Sequence, residues 1–408
     1  MTETMVLAAA LPYRAHRRIE RFLFESRTTL RDEVERFLAW LRGPGRDSPP
    51  EEQQRRFVAI RVHFNDVLSQ VDLFMEVITQ RSENGTGVWL SGLDYLAAEA
   101  LDLSARWFDP PPVVCYLARG PGAAIRRART RLPGGRLNPV AIVRVPRERM
   151  VGHGIASSLV HEVGHQGAAL LGLVESLRQE IGERDRRDRG QTPWANWERT
   201  ISECVADFWS VGKLGIASTL GLLAVVSLPR FFVFRPPGDD PHPMPYVRVL
   251  LSAAVGDTLY PHPQWRALAD AWRAYYPMRD LPVERRQDIE RLEKSLPAMA
   301  DLMASHQSAA LRGHQLADLM PVAERRPEQL LALHKAWGDD IGVLARQSPT
   351  LVFAVFGQAR AMGEIDSAHE SRVLSDVLTA WAVRSSLDVL ERNAIPTAFH
   401  ATGLATQP

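Results

Sequence analysis

The sequence predicts a predominantly helical α+β protein with one small sheet. Apolar residues recur at helical spacing over much of the 408 residues, two short β-branched runs lie between positions 113 and 145, and prolines and glycines separate the segments. Hydrophobic residues make up 45% of the chain and charged residues 24%, which is typical of a globular protein. This length suffices for one large domain or two ordinary ones.

The N-terminal part is predicted to form three helices. Apolar residues recur on one face of residues 14–41. A second helix begins within Ser48–Glu52, where proline and acidic residues suit a first helical turn, and it runs to about Thr79. Ser82–Gly87 is predicted to be a loop, and a third helix covers Leu93–Trp107, where prolines follow.

The character of the sequence changes after these helices. Val113–Leu117 and Val140–Val145 are apolar and β-branched, which predicts two strands. One helix follows the second strand, and another covers Trp194–Lys213. Leu214–Phe234 is apolar but contains proline and arginine, so we interpret it as a buried helix, with a membrane-dipping segment as the alternative.

The last part of the chain, residues 283–395, is predicted to contain four or five helices and no strands. A soft boundary lies near Pro277–Pro282. The sequence therefore predicts an N-terminal helical region at 1–109, a central core at 110–280 and a C-terminal helical region at 281–408.

Composition excludes several classes of function. A formal net charge of +1 argues against a general nucleic-acid or membrane-surface binder. Cys115 and Cys204 are the only cysteines, too few for a disulfide framework, which fits a reducing compartment. The short apolar stretch near the N-terminus lacks preceding basic residues, unlike a secretory signal. We therefore expect a cytoplasmic protein without membrane association.

Residues 161–165 read His-Glu-Val-Gly-His. A spacing of four residues is about one helical turn, so the imidazoles of His161 and His165 project from one helix face and can hold a zinc ion. Glu162 lies about 100° around the helix, where a general base is needed to take a proton from an attacking water. The motif predicts a zinc hydrolase if a third ligand is present.

Candidates for the third ligand lie downstream. One class of zinc peptidase uses a third histidine six residues after the second, but Leu171 stands there, so that class is excluded. Glu203 and Asp207 are one turn apart on a later predicted helix. Glu203 can bind zinc while Asp207 accepts a hydrogen bond from the other ring nitrogen of a ligand histidine. The alternative is a surface Glu–Asp pair.

A third signal is the proline-rich segment Asp240–Arg248. Peptide hydrolysis passes through an oxyanion, and His242 or Arg248 could supply an additional donor to it. Prolines would stiffen the segment. The alternative is an ordinary connection with a surface histidine.

The three blocks together resemble the gluzincin metallopeptidase family that includes HtpX and the CAAX prenyl peptidases. In that family a HExxH helix is followed by a Glu-x-x-x-Asp helix and by His-Pro with an arginine six residues after the histidine. The resemblance covers about residues 110–250 and implies a zincin-like core with added terminal helices. Well-known members are integral membrane proteins, and this sequence lacks clear transmembrane pairs, so we expect a soluble variant.

The resemblance also implies roles for particular residues. The zinc ligands would be His161, His165 and Glu203. The general base would be Glu162, the partner of a ligand histidine would be Asp207, and transition-state or structural helpers would be His242 and Arg248.

We therefore expect a zinc-dependent metallopeptidase acting on a peptide or protein. The free edge of the strand before the histidine helix can pair with an extended substrate backbone. The predicted binding residues on it are Val140, Ala141, Ile142 and Val143. The alternative is a catalytically silent module that binds a partner protein or acts as a sensor through its terminal helices. An intact Glu162 argues against that alternative, because a structural zinc site does not need it.

Overall fold

The computed structural model describes residues 7–82, 84–103, 107–120, 122–147, 152–187, 193–236, 238 and 240–394. Most of these residues form α-helices, and one small sheet lies between the N-terminal helices and the helix that carries the histidine pair. The predicted class, α+β with predominant helix, is confirmed.

Three long helices form the N-terminal region: α1 (Tyr13–Arg42), α2 (Pro50–Thr79) and α3 (Asn84–Leu101). Helices α1 and α2 pair as a hairpin, in which the Ser26 hydroxyl donates to the side-chain oxygen of Gln70 at 3.0 Å. Only the base of this hairpin, close to the chain's core, contributes buried apolar side chains. All three helices were predicted.

Helix α3 begins earlier than predicted, because it includes residues 84–87, which were expected in a loop. Gly87 lies in the first turn of α3. A Cβ at this position would lie 2.8 Å from the Cβ of Ala9, so only glycine lets the first turn pack this closely against the N-terminal segment. The helix ends at Leu101, short of the predicted boundary, and residues 104–106 lie outside the described part.

The sheet contains three strands, β1 (Val113–Ala118), β2 (Ala124–Arg126) and β3 (Ala141–Pro146), in the order β1-β3-β2. Strand β3 is parallel to β1 and antiparallel to β2. The two predicted strands correspond to β1 and β3. The short strand β2 was not predicted, and it makes β3 the central strand.

This central position corrects the expectation that β3 offers a free edge to a peptide. Residues 142–144 pair with β1 on one side and with β2 on the other. Both faces are covered as well, since Ile142 packs toward the α1–α2 hairpin and Val143 toward the main core. At most 1% of the surface is exposed in each of the predicted binding residues Val140, Ala141, Ile142 and Val143.

Side chains close the outer edge of β1. Gln80 bonds to both main-chain groups of Leu117, at 2.8 Å and 2.7 Å. Arg81 donates to the Cys115 carbonyl at 2.6 Å, and the Cys115 N–H donates to Asp94 at 2.6 Å. Strand β2 forms the opposite edge, and no other strand of the described residues pairs with it.

The central helices are α4 (His153–Leu170), α5 (Leu173–Arg187), α6 (Trp194–Leu214), α7 (Ile216–Val226) and α8 (Arg230–Val233). Helices α4 and α6 cross closely at two glycines. A Cβ on Gly164 would lie 2.9 Å from Trp209 Cβ, and one on Gly167 would lie 2.6 Å from the Trp209 ring. This close crossing brings the facing side chains of α4 and α6 together.

The segment Leu214–Phe234, predicted as one buried helix, is two helices. Helix α7 is largely buried, and Pro229 stands before the short helix α8 because proline ends an incoming helix and suits the start of a new one. The buried prediction is wrong for α8, since Phe231 is 69% exposed. Among the described helices, none combines the length and the apolar character that a membrane crossing requires.

The remaining helices are α9 (Pro245–Leu259), α10 (Pro263–Tyr275), α11 (Val283–Ser305), α12 (Pro327–Trp337), α13 (Ile341–Leu344), α14 (Pro349–Ala361) and α15 (Ser367–Ala394). The described residues from 283 onward therefore contain five α-helices and no strand, as predicted. One hydrophobic core runs from Leu90 in α3 to Trp381 in α15. Glu370 of α15 also accepts hydrogen bonds from the N–H and Nδ1 of His153, at 3.0 Å and 2.8 Å, at the start of α4.

Candidate metal centre

Helix α4 places the two motif histidines on one face, as the spacing predicts. The ring centroids of His161 and His165 lie 4.9 Å apart, and the rings are nearly perpendicular. His161 is buried and His165 is half-buried. The uncharged residues around them let this part of α4 lie within the core, which holds the two imidazoles in fixed positions.

Glu203 of α6 faces both histidines. Its Oε2 lies 3.2 Å from His161 Nε2, and its Oε1 lies 3.5 Å from His165 Nε2. One ligand atom from each of His161, His165 and Glu203 falls within 4.8 Å of the other two, so the group can hold a metal ion. The sequence predicted this set, and the glycine crossing of α4 and α6 brings it together.

The chemistry of these donors fits a metal ion. Glu203 Oε2 is buried and has no hydrogen-bond partner within the described structure, although imidazole nitrogens lie close by. A buried carboxylate oxygen without a partner is costly unless a cation meets it. Burial raises the pKa of Glu203, but His161 and His165 outweigh burial and hold this pKa well below its usual range. The carboxylate is therefore ionised and free to coordinate.

Asp207 holds the outer nitrogen of the first histidine. Its Oδ1 lies 2.7 Å from His161 Nδ1, so Nδ1 holds a proton for Asp207 and Nε2 is turned toward Glu203 and the shared point. Burial lowers the pKa of His161, but the Asp207 carboxylate outweighs it and raises the pKa to about 9, so a metal ion would displace a proton from Nε2 as it binds. The predicted partnership between Asp207 and a candidate ligand is present.

Arg248 of α9 holds Asp207 in turn. Its Nε and Nη2 donate to the two carboxylate oxygens at 2.7 Å and 2.8 Å, a bidentate geometry that fixes both groups. Burial raises the pKa of Asp207, yet Arg248 and His161 keep it well below its usual range. Two donors of Arg248 are thus committed to Asp207, so the arrangement favours a structural helper over a direct contact with substrate.

A cavity of about 120 Å³ opens beside the cluster, and Glu162 and His242 line it together with His161. Among the described residues no side chain donates a hydrogen bond to the Glu162 carboxylate. The other lining residues come from the sheet and from α4, α6, α7 and α9: Gly122, Ala123, Pro146, Ser157, Ser158, Asp207, Ser218, Leu222, Val225 and Arg248. The predicted strand residues 140–143 are not among them.

His242 reaches the cluster from the proline-rich segment. Its Nε2 lies 3.2 Å from Glu203 Oε2, and its Nδ1 lies 2.6 Å from Asp240 Oδ1. The side chain is 41% exposed, far more than the buried candidate ligands. Asp240 therefore orients an accessible imidazole at the mouth of the cavity.

The sequence reasoning missed Ser202. Its hydroxyl lies 3.4 Å from His165 Nδ1, which gives the second histidine an outer partner weaker than the Asp207 carboxylate. The only sequence signal was its position immediately before Glu203. Cys204, on the other side of Glu203, is no ligand candidate, because burial raises the pKa of its thiol to about 12 and keeps it protonated.

The structure thus brings His161, His165 and Glu203 together, with Asp207 behind them and Glu162 at the cavity. No family model, curated protein or solved structure matches this chain.

Proposed function

We propose that the protein is a zinc metallopeptidase of the gluzincin type. The observation that carries the proposal is the convergence of two imidazoles and the unpartnered Glu203 oxygen at one point beside Glu162. Two histidines and one carboxylate are a donor set that zinc peptidases use, and they leave one position open for reaction. We also propose a cytoplasmic location, because both cysteines are buried and unpaired and need no oxidising compartment.

His161, His165 and Glu203 would hold the zinc ion, which supplies Lewis-acid activation of water and of the scissile carbonyl. Glu162 acts as the general base: its carboxylate takes a proton from the attacking water and delivers it to the leaving amine. Glu162 suits this role because it lines the cavity and, within the described part of the chain, no side chain donates a hydrogen bond to its carboxylate. Asp207 keeps the Nδ1 proton on His161 throughout.

His242 is proposed to stabilise the oxyanion. His242 lines the cavity and Asp240 holds its Nδ1, so an Nε2–H of this ring can donate to an oxygen bound beside Glu203. Arg248 would act through Asp207, as a positioning residue.

The substrate backbone is proposed to lie along β2 rather than β3. Strand β2 is an edge strand, and Gly122 and Ala123 immediately before it line the cavity. The N–H of Ala128, after β2, donates to Gln166 of α4 at 2.8 Å and ties this edge to the histidine helix. An extended peptide added to β2 would run past Glu162 with its main chain hydrogen-bonded.

The decisive variant is Glu162→Gln, which keeps the shape of the side chain and removes the base. We expect cleavage of casein or of a peptide library to fall by about 10²- to 10⁴-fold, while one zinc per chain remains bound. Zinc is measured by elemental analysis of the same sample. The matched control is Glu175→Gln, whose side chain is exposed on α5, and this variant should cleave as the wild type does.

Retained cleavage by Glu162→Gln would remove the mechanism. Loss of zinc together with activity would instead point to a role for Glu162 in holding the metal.

One observation favours a second candidate, the catalytically silent module that binds a partner protein. The outer part of the α1–α2 hairpin exposes large apolar side chains, among them Phe24 at 61%, Val62 at 55% and Phe64 at 50%. Such a face suits a protein partner. Stoichiometric zinc with no cleavage of any peptide tested would favour this candidate over the peptidase.

A further inference from the structure

A second cluster of reactive groups lies where α5 meets the end of α11. Ser176 Oγ is 2.8 Å from His306 Nε2, and His306 Nδ1 is 2.8 Å from Glu180 Oε2. Ser176 and Glu180 are one turn apart on α5, and His306 follows directly on α11. The cluster shares no residue with the metal centre or its cavity.

The polar contacts assign a role to each group. Arg184 donates to Glu180 Oε1 at 3.2 Å, which leaves Oε2 for the Nδ1–H of His306. With its proton on Nδ1, the imidazole presents the lone pair of Nε2 to the Ser176 hydroxyl. His306 is only 3% exposed, so its ring is fixed. Serine, histidine and carboxylate in this order form the arrangement that activates a serine nucleophile.

The serine is accessible from an open pocket of about 490 Å³. Ser308 lines the same pocket, and its buried Oγ has no hydrogen-bond partner in the described structure. Leu171 and Ala309 add apolar surface, while Glu180 and Glu183 make the pocket unfavourable for anions. The pocket therefore fits an uncharged acyl group.

An ordinary helical serine bonds to the carbonyl one turn before it. Ser176 also lies within reach of two such carbonyls, Gly172 O at 3.1 Å and Leu173 O at 3.2 Å, but its contact with His306 is shorter. Ser69 of α2 shows the ordinary case, because its hydroxyl bonds only to Asn65 O, at 2.9 Å. The imidazole is what distinguishes Ser176 from Ser69.

We propose that Ser176 is the nucleophile of a second, metal-independent hydrolytic site that takes uncharged acyl esters. Ser176 Oγ forms a bond to the ester carbonyl carbon as His306 Nε2 takes the hydroxyl proton. The carbon–oxygen bond to the alcohol then breaks, and His306 returns that proton to the departing oxygen. Water attacks the acyl-serine by the same route, releasing the acid and restoring Ser176.

The test is covalent labelling of the full-length, zinc-loaded protein with a fluorophosphonate, followed by intact mass and peptide mapping. Ser176 Oγ displaces fluoride from phosphorus, so each labelled chain carries one phosphonyl adduct. We expect one adduct, on Ser176, that Ser176→Ala abolishes. His306→Gln should slow labelling by about 100-fold or more. Ser69→Ala should label as the wild type does, because Ser69 has no imidazole beside it.

Absence of an adduct on wild-type Ser176, or labelling no faster there than on Ser69, would overturn the proposal. The cluster would then serve only as a set of hydrogen bonds that connects α5 to the end of α11. Labelling of folded His306→Gln at the wild-type rate would overturn the proposal equally, because the imidazole would then have no part. The wild-type measurement needs no substitution, so the test remains valid even if a variant fails to fold.

Discussion

Asp94 with Arg81 and Asp207 with Arg248 form two buried ion pairs of the same chemical type. Arg81 meets the two Asp94 oxygens at 3.1 Å and 3.2 Å, and both side chains are fully buried. Arg248 meets the two Asp207 oxygens at 2.7 Å and 2.8 Å, and each side chain is 11% exposed. The pairs differ in where their remaining hydrogen bonds go.

The third partner of each pair is the informative difference. In the first pair, Arg81 also donates to the Cys115 carbonyl and Asp94 accepts from the Cys115 N–H, which closes the edge of β1. In the second pair, Asp207 also contacts Nδ1 of His161, whose Nε2 faces Glu203. Burial raises the pKa of Asp94 despite Arg81, whereas Arg248 and His161 outweigh the burial of Asp207 and lower its pKa. One pair serves the fold, and the other serves the candidate centre.

The largest effect on stability should come from breaking the first pair. Arg81→Met leaves Asp94 buried without a cation, which should cost about 3–5 kcal/mol of the free energy of unfolding in urea. The zinc affinity of the folded fraction should not change. As a control, Arg178→Met removes an exposed partner of Glu175 and should cost less than about 1 kcal/mol. Weaker zinc binding by folded Arg81→Met would contradict the assignment of this pair to the fold alone.

The largest effect on metal binding should come from Glu203→Gln. An amide lacks the charge that meets the ion, so we expect zinc affinity to fall by more than about 100-fold, beyond what loss of an outer partner costs. Competition with a chromophoric chelator measures it. Glu198→Gln, on the same helix but outside the cluster, is the matched control. An unchanged affinity in Glu203→Gln would exclude Glu203 as a ligand.

Asp207→Asn should have an intermediate effect. The amide keeps the shape of the side chain but loses the charge that stabilises His161 and pairs with Arg248. We expect zinc to bind about 10- to 100-fold more weakly, with the same stoichiometry. Isothermal titration with a competing chelator gives both quantities. Wild-type affinity would mean that Asp207 serves only the fold, as Asp94 does.

Ser202→Ala should have the smallest effect. The contact between its hydroxyl and His165 is 3.4 Å long and involves no charge, so we expect less than a tenfold loss of zinc affinity, about 1.4 kcal/mol at most. The same chelator competition compares it with Asp207→Asn. A loss larger than that of Asp207→Asn would reverse the assigned importance of the two outer partners.

The candidate centre was largely predictable because its parts are local. His161 with His165 and Glu203 with Asp207 each stand four residues apart, and helical geometry alone puts each pair on one face. The approach of the two helices had a sequence signal as well, in the small residue Gly164 between the histidines.

The rest depended on contacts between distant residues. The central position of β3 follows from pairing with β2, a strand of three residues too short to give an alternating pattern. Ser176 and His306 are 130 positions apart, and neither carries a local motif. The Arg81–Asp94 pair is likewise recognisable only once β1 lies between its neighbours.

The most direct test of the central claim is a crystal structure of the zinc-loaded protein with anomalous data collected on both sides of the zinc absorption edge. The account predicts one strong zinc peak about 2.0–2.2 Å from His161 Nε2, His165 Nε2 and a Glu203 oxygen, with Glu162 beside it and not coordinated. A peak elsewhere, or none at this cluster in protein that retains zinc, would contradict the account.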